Sequence, residues 1–238
     1  VPSGIGIRGN VKADGNKYAT KLAVTEGMGR LNLQASADLK KKANGDFDMN
    51  RLAYQAKIQA RNIQAKHFLP KQDLYSFTGD IEASGVGTDF LSPRTRMKAK
   101  ARVASVHYGK YKIGNLLAVA NIANGKIHAD VDSKNDYLKG LVSLDALTNS
   151  KNIQATVTAD VRHADLYRFQ ITQVPMMAAL CGHVDVNTDL GDNYNVQASI
   201  GDITLRTKEK TYRPVDVLVD LYTRRDTTHA IADCGDFH

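Results

Sequence analysis

The stretch "KNIQATVTADVRHADLYRF", residues 151–169, decides how the chain reads. Ile153, Ala155, Val157, Ala159 and Val161 fall on one parity; Asn152, Gln154, Thr156, Thr158, Asp160 and Arg162 fall on the other. Successive side chains of a β-strand point to opposite sides, so this alternation gives a strand with one apolar and one polar face. The same period recurs outward in both directions. Before the stretch come Leu31, Leu33, Ala35 and Ala37, then Tyr54, Ala56, Ile58 and Ala60. Met97, Ala99, Ala101 and Val103 follow, then Leu116, Ala118, Ala120 and Ile122, then Ile127, Ala129 and Val131. After it come Val184 and Val186, then Val196, Ala198 and Ile200, then Val215, Val217, Val219 and Leu221. Turn signals such as "ADGNK", "EGMG", "KANGD" and "LGDN" separate the sets. Short strands recurring at roughly 10–15 residues predict an all-β chain of antiparallel strands.

Two proline-containing segments interrupt the alternation, 65–77 ("AKHFLPKQDLYSF") and 166–180 ("LYRFQITQVPMMAAL"). Each predicts a short helix or an irregular crossover. They also mark a degenerate repeat. "YQAKIQA" (54–60) aligns with "IQATVTA" (153–159), and "TGDIEASGVGTD" (78–89) aligns with "CGHVDVNTD" (181–189) through Gly79 and Gly182. The expected organisation is one elongated segment over 1–238 with repeats at about 50–150 and 151–238.

The chain has 238 residues, 42% of them hydrophobic, and a mean hydropathy of −0.35. No apolar run approaches the roughly 20 residues of a membrane helix. Val1 opens directly into patterned sequence, so no signal segment informs localisation. The net charge of +7 suits an anionic neighbour, or simply solubility. Cys181 and Cys234 either pair in an oxidising compartment or stand as small buried residues, and the second is expected.

The strands "G-K-h-x-A-D-h" and "D-x-x-h-x-G-x-h-x-L" (within 125–147, "GKIHADVDSKNDYLKGLVSLDAL") and the "A-D-h-x-x-A-D-L-Y" edge (159–167) resemble the TamB/AsmA-like translocation-and-assembly family in its Bacteroidetes form. The likeness is best over about 95–189. It implies an internal fragment of a long periplasmic protein anchored in the inner membrane of a diderm bacterium. It also implies a long curved antiparallel sheet, the β-taco, whose open U-shaped trough has an apolar concave face that carries phospholipid acyl chains. Flanking repeats of the same chain, and an outer-membrane barrel-assembly protein reached through the parent chain, are the implied partners.

The residues support a trough independently. A one-sided apolar sheet must bury that side on a second sheet, on its own curled halves or on a ligand. The apolar positions here are rich in alanine and valine, with 7% aromatics and no tryptophan, whereas a sandwich fills a gap of about 10 Å with larger side chains. Acyl chains would gain about 0.8 kcal/mol per buried methylene. The expected lining is Leu31, Leu33, Ile58, Val103, Leu116, Ile122, Val131, Ile153, Val157 and Val161. The expected function is non-enzymatic holding of lipid; the alternative is a scaffold or chaperone for outer-membrane proteins that uses exposed strand edges.

Other motifs carry less. "GIGIRG" (4–9) has dinucleotide-fingerprint spacing but leads into strand and turn rather than a helix. "DFDMNRLAYQAK" (46–57) starts like a calcium loop but has Arg51 where glycine and Lys57 where glutamate are needed. The histidines lack zinc spacing, no nucleophile motif or carboxylate pair stands out, and no metal or cofactor is expected. His183 and Asp185 share a strand face and form a candidate pair. Arg94, Arg96, Lys98, Lys100 and Arg102 alternate along one face. They read as a solvent face, such as that of a charge-protected edge strand, or as a stripe for anionic groups. Phe90, Tyr108 and Tyr111 lie outside the stripe, so nucleic acid is not an expected partner.

Overall fold

The computed structural model describes residues 4–68, 71–149, 151–224 and 227–235. Among them, regular structure is β-strand apart from two 3₁₀ turns, Met49–Arg51 and Ala65–His67. The chain divides into two compact units, residues 1–90 with 94–124, and 91–93 with 125–238.

The first unit holds β1 (Ile5–Asp14), β2 (Lys17–Glu26), β3 (Gly29–Asp38), β4 (Ala53–Ile63), β5 (Leu74–Val86), β6 (Arg96–Tyr108) and β7 (Tyr111–Ala123). Each pairs antiparallel with the next. The hairpins β1–β2 and β2–β3 turn over two residues, with Gly15 and Gly27 at positive φ, a conformation glycine adopts without a Cβ penalty. The second unit holds β8 (Lys126–Lys134), β9 (Leu138–Thr148), β10 (Ile153–Asp165), β11 (Met177–Thr188), β12 (Tyr194–Arg206), β13 (Thr211–Tyr212), β14 (Val217–Arg224) and β15 (Thr227–Asp233). Pairing again follows chain order, except that β13 and β14 both lie along β12. Among the described residues no pairing returns from the last strand of either unit to its first, so each unit is an open antiparallel sheet.

The register turns sequence alternation into continuous rows. Leu22, Leu33, Ile58, Ile81, Ala101 and Ala118 stand opposite one another across six strands of the first unit. Ala129, Leu144, Val157, Val184, Ala198 and Val219 do so in the second. Bulges shift the register after Ala60 in β4 and after Val161 in β10. Bulges bend a strand and increase its twist. Both lie just before the irregular segments, so β4, segment and β5 follow the same plan as β10, segment and β11. The segments are shorter than the sequence suggests, because β5 starts at Leu74 and β11 at Met177. The first contains the Ala65–His67 turn; the second is turns without a helix.

Few side chains are deeply buried. The buried hydrophobic residues are Val24, Ala60, Ile63, Ala65, Ile122, Ala146 and Ala178. The chain exposes 16059 Å². A compact protein of this mass exposes roughly 10,500 Å². Within each unit the substantial packing is between hydrogen-bonded neighbours, joined by the Ala65–His67 turn against β5. Among the described residues each unit is a single sheet, and apart from those few buried residues its apolar side chains are half-buried or exposed.

Candidate functional site

The predicted lining falls on the apolar face of each unit. In the first, Leu33 stands opposite Ile58, Leu31 opposite Val24 and Ala60, Val103 opposite Leu116, and Ile122 opposite Met97. In the second, Val157 lies between Leu144 and Val184, Val161 between Gly140 and Leu180, and Ile153 between Thr148 and Thr188, while Val131 faces Val142. Val131 is 42% exposed, whereas Ile122 is only 4% exposed and so is packed rather than offered to a ligand. The other eight are half-buried, the state of side chains that touch strand neighbours sideways and are open above.

One end of the first unit's apolar face is closed. Glu26 lies on this face but is 9% exposed. Its carboxylate accepts a hydrogen bond from the Gln64 backbone N–H at 3.1 Å and pairs with His67 Nδ1. The residues after β4 are thereby tied across the ends of β2 and β4, with Ala65 and Ile63 buried there.

The opposite face is polar. Arg96, Lys98, Lys100 and Arg102 project from β6, and Arg94 precedes that strand. β6 is paired on both sides, which rules out the edge-strand reading. The stripe is instead one band of a cross-strand charge lattice: Arg102 stands opposite Asp80, and Lys100 opposite Glu82. Lys57 Nζ meets Glu82 at 2.8 Å, and Arg61 meets Asp80 at 3.0 Å. The Lys57 hydrogen bond and charge lower the Glu82 pKa, and Glu82 raises that of Lys57.

The second unit's polar face carries a different network. His128 bridges Asp145 at 2.7 Å and Asp130 at 3.1 Å, and Ser143 donates to Asp130 at 2.6 Å. His183 meets Asp185 at 2.8 Å, as their spacing predicts, and Thr156 donates to the same carboxylate at 2.6 Å. Hydrogen bonds from the ring to the carboxylates of Asp145 and then Asp130 raise the His128 pKa. Those from Ser143 lower Asp130, and those from Thr156 and His183 lower Asp185. Both networks cross between strands, so their chemistry is adhesive. Among the described residues, no three His, Cys, Asp or Glu side chains are placed to hold a metal ion.

Neither cysteine is in a disulfide; Cys181 is exposed on the polar face rather than buried, and Cys234 is half-buried. Its neighbours Leu180 and Gly182 hold the apolar parity, opposite Val161 and Ala159. Burial against its neighbours, then the Asp202 and Asp160 charges, raise its pKa. "GIGIRG" lies largely in β1, where Gly9 approaches the Lys21 carbonyl of β2. Asp48 in the calcium-loop look-alike caps the Met49–Arg51 turn. Val215 precedes β14 and is 58% exposed. Alternation reasoning passed over β2, whose Leu22 and Val24 extend the apolar face beside Leu33 and Leu31. It also passed over β15, which adds Ala230 and Ala232 to the second unit's face.

These features define a class: an all-β, single-layer antiparallel sheet with one apolar and one charged face. No family model, curated protein or solved structure matches the chain.

Proposed function

We propose that the chain is a non-enzymatic lipid-holding segment, with phospholipid acyl chains lying along the apolar face and headgroups at its open margin. The observation that carries this reading is the set of unbroken apolar rows whose side chains are for the most part only half-buried. A chain that buried about ten methylenes there would gain about 8 kcal/mol before the cost of immobilisation. Alanine, valine and leucine supply no directional contact, so such a face grips acyl chains without selecting among them, which suits a conduit. The likeness to TamB/AsmA-like proteins supplies the setting: a periplasmic segment of a longer chain anchored in the inner membrane, between flanking repeats. The test is cross-linking with a phospholipid that carries a photoreactive group in its acyl chain. Adducts should map to peptides containing Leu33, Ile58, Val131 and Val157. Adducts spread evenly over both faces would refute the assignment.

A second reading is favoured by β1. It pairs only with β2 among the described residues, and Ile7 and Val11 are 51% and 74% exposed. A strand with one open edge and exposed apolar residues accepts another strand by β-augmentation, either a flanking repeat of the parent chain or a separate peptide. In this reading the edge scaffolds nascent outer-membrane strands, with a barrel-assembly protein reached through the parent chain. Binding of an unfolded barrel-strand peptide that is lost on Val11→Pro would support it.

A further inference from the structure

The net charge of the chain belongs to one unit. The first unit carries 20 Lys and Arg against 9 Asp and Glu, net +11; the second carries 12 against 16, net −4. On the first unit's polar face this charge borders a groove rather than a flat surface. Hollows of about 360 and 730 Å³ adjoin, sharing Gln55 and Lys57, so that one depression crosses the strands. Its walls alternate cations with amides and hydroxyls. One row runs Lys21, Gln34, Lys57, Glu82, Lys100, each directly opposite the next. Lysine therefore recurs on every second strand, at a spacing of about 9.5 Å with strands about 4.8 Å apart, and the middle one, Lys57, is paired with Glu82. Lys21 and Lys98 form no ion pair with another described residue, while Lys100 stands opposite Glu82, a carboxylate already held by Lys57 at 2.8 Å.

A ligand that fits must be long, carry an anion on one side at that repeat, and offer hydroxyls to Gln34, Gln55 and Ser84 between the charges. We propose that the groove binds a linear anionic polysaccharide of the uronate type. A chain of 1,4-linked uronates in a two-fold helix presents a carboxylate on the same side once per disaccharide, with ring hydroxyls between. A single-stranded nucleic acid is the weaker fit: its bases stack on aromatic rings, and none of the described residues lining the hollows is aromatic. The site lies on the face opposite the acyl rows and does not depend on the lipid reading. Glu82 sets the sign of a further effect, since its carboxylate sits in the row and neutralises Lys57.

The test is calorimetric titration of the whole chain with a mannuronate oligomer at low salt. Binding should weaken as salt rises. The triple variant Lys21→Gln, Lys98→Gln, Lys100→Gln should lose at least about tenfold in affinity, and Glu82→Gln should tighten binding several-fold. Lys134→Gln, an exposed cation on the other unit, should leave it unchanged. The proposal is overturned by no binding to the wild-type chain, by weaker binding in Glu82→Gln, by an equal loss in Lys134→Gln, or by tighter binding of oligo-dT than of the mannuronate oligomer. Matching circular dichroism among the variants shows that affinity, not folding, has been measured.

Discussion

His128 gathers two carboxylates from two strands at one ring: it sits on β8, contacts Asp145 on β9, and reaches Asp130 two residues along its own strand. Its raised pKa means that its stabilising contribution is complete below the unfolded value of about 6.5 and is lost as pH rises through the folded value. Asp130 and Asp185 have lowered pKa values, so their contributions are present above the unfolded carboxylate value and are lost as pH falls through the folded one. The second unit should therefore be most stable in mildly acidic solution, where histidine is protonated and the carboxylates are ionised. The melting-temperature loss on His128→Gln should be larger at pH 5.5 than at pH 8.5, and equal losses would count against the network. At this scale the sequence was partly legible. His183 and Asp185 meet because a strand returns to the same face after two residues. Asp145 meets His128 only through strand pairing, which local spacing does not contain. Cys181 was misjudged by residue type, although its parity places it on the polar side.

Among the elements, strands with clean alternation were readable and mixed ones were not. β9 carries Leu141 and Leu147 on its polar side, 39% and 52% exposed, which blurs the period that Val142 and Leu144 keep. β2 begins with Tyr18 and Thr20 on its apolar side, which dilutes the signal before Leu22. The paired-segment plan of β4–β5 and β10–β11 shows why the alternation breaks where it does: the chain leaves a bulged strand there and re-enters the sheet. A glycine within β5 makes a local test. A Cβ on Gly85 would come within 2.8 Å of Tyr54 Oη and 2.4 Å of the Arg96 carbonyl oxygen. Gly85→Val should cost about 1–3 kcal/mol in urea unfolding, through displacement of Tyr54 and of the β6 backbone at Arg96. Val157 tests the open face. In a closed core, Val157→Asp would leave a buried charge and prevent folding. On a half-open face it should cost only about 1–2 kcal/mol, with the circular dichroism spectrum retained.

The whole-chain charge of +7 concealed a division into units of opposite sign, because a sum over the sequence does not know where the units end. The apolar rows were legible from period two alone. That they stay largely open was not, since a sandwich writes the same alternation; burial separates the two cases, and Leu33, Ile58 and Val157 are only half-buried. A chain that leaves this face open should bind a hydrophobic dye such as 1-anilinonaphthalene-8-sulfonate in its native state, with binding falling when phospholipid is added. The measurement closest to the central claim is native mass spectrometry of the mildly extracted protein, with lipid analysis of the extract. The account predicts co-purifying phospholipid that is lost when Leu33, Val131 or Val157 is changed to aspartate in a protein that still folds. Lipid-free protein that also refuses fluorescent phospholipid would contradict it.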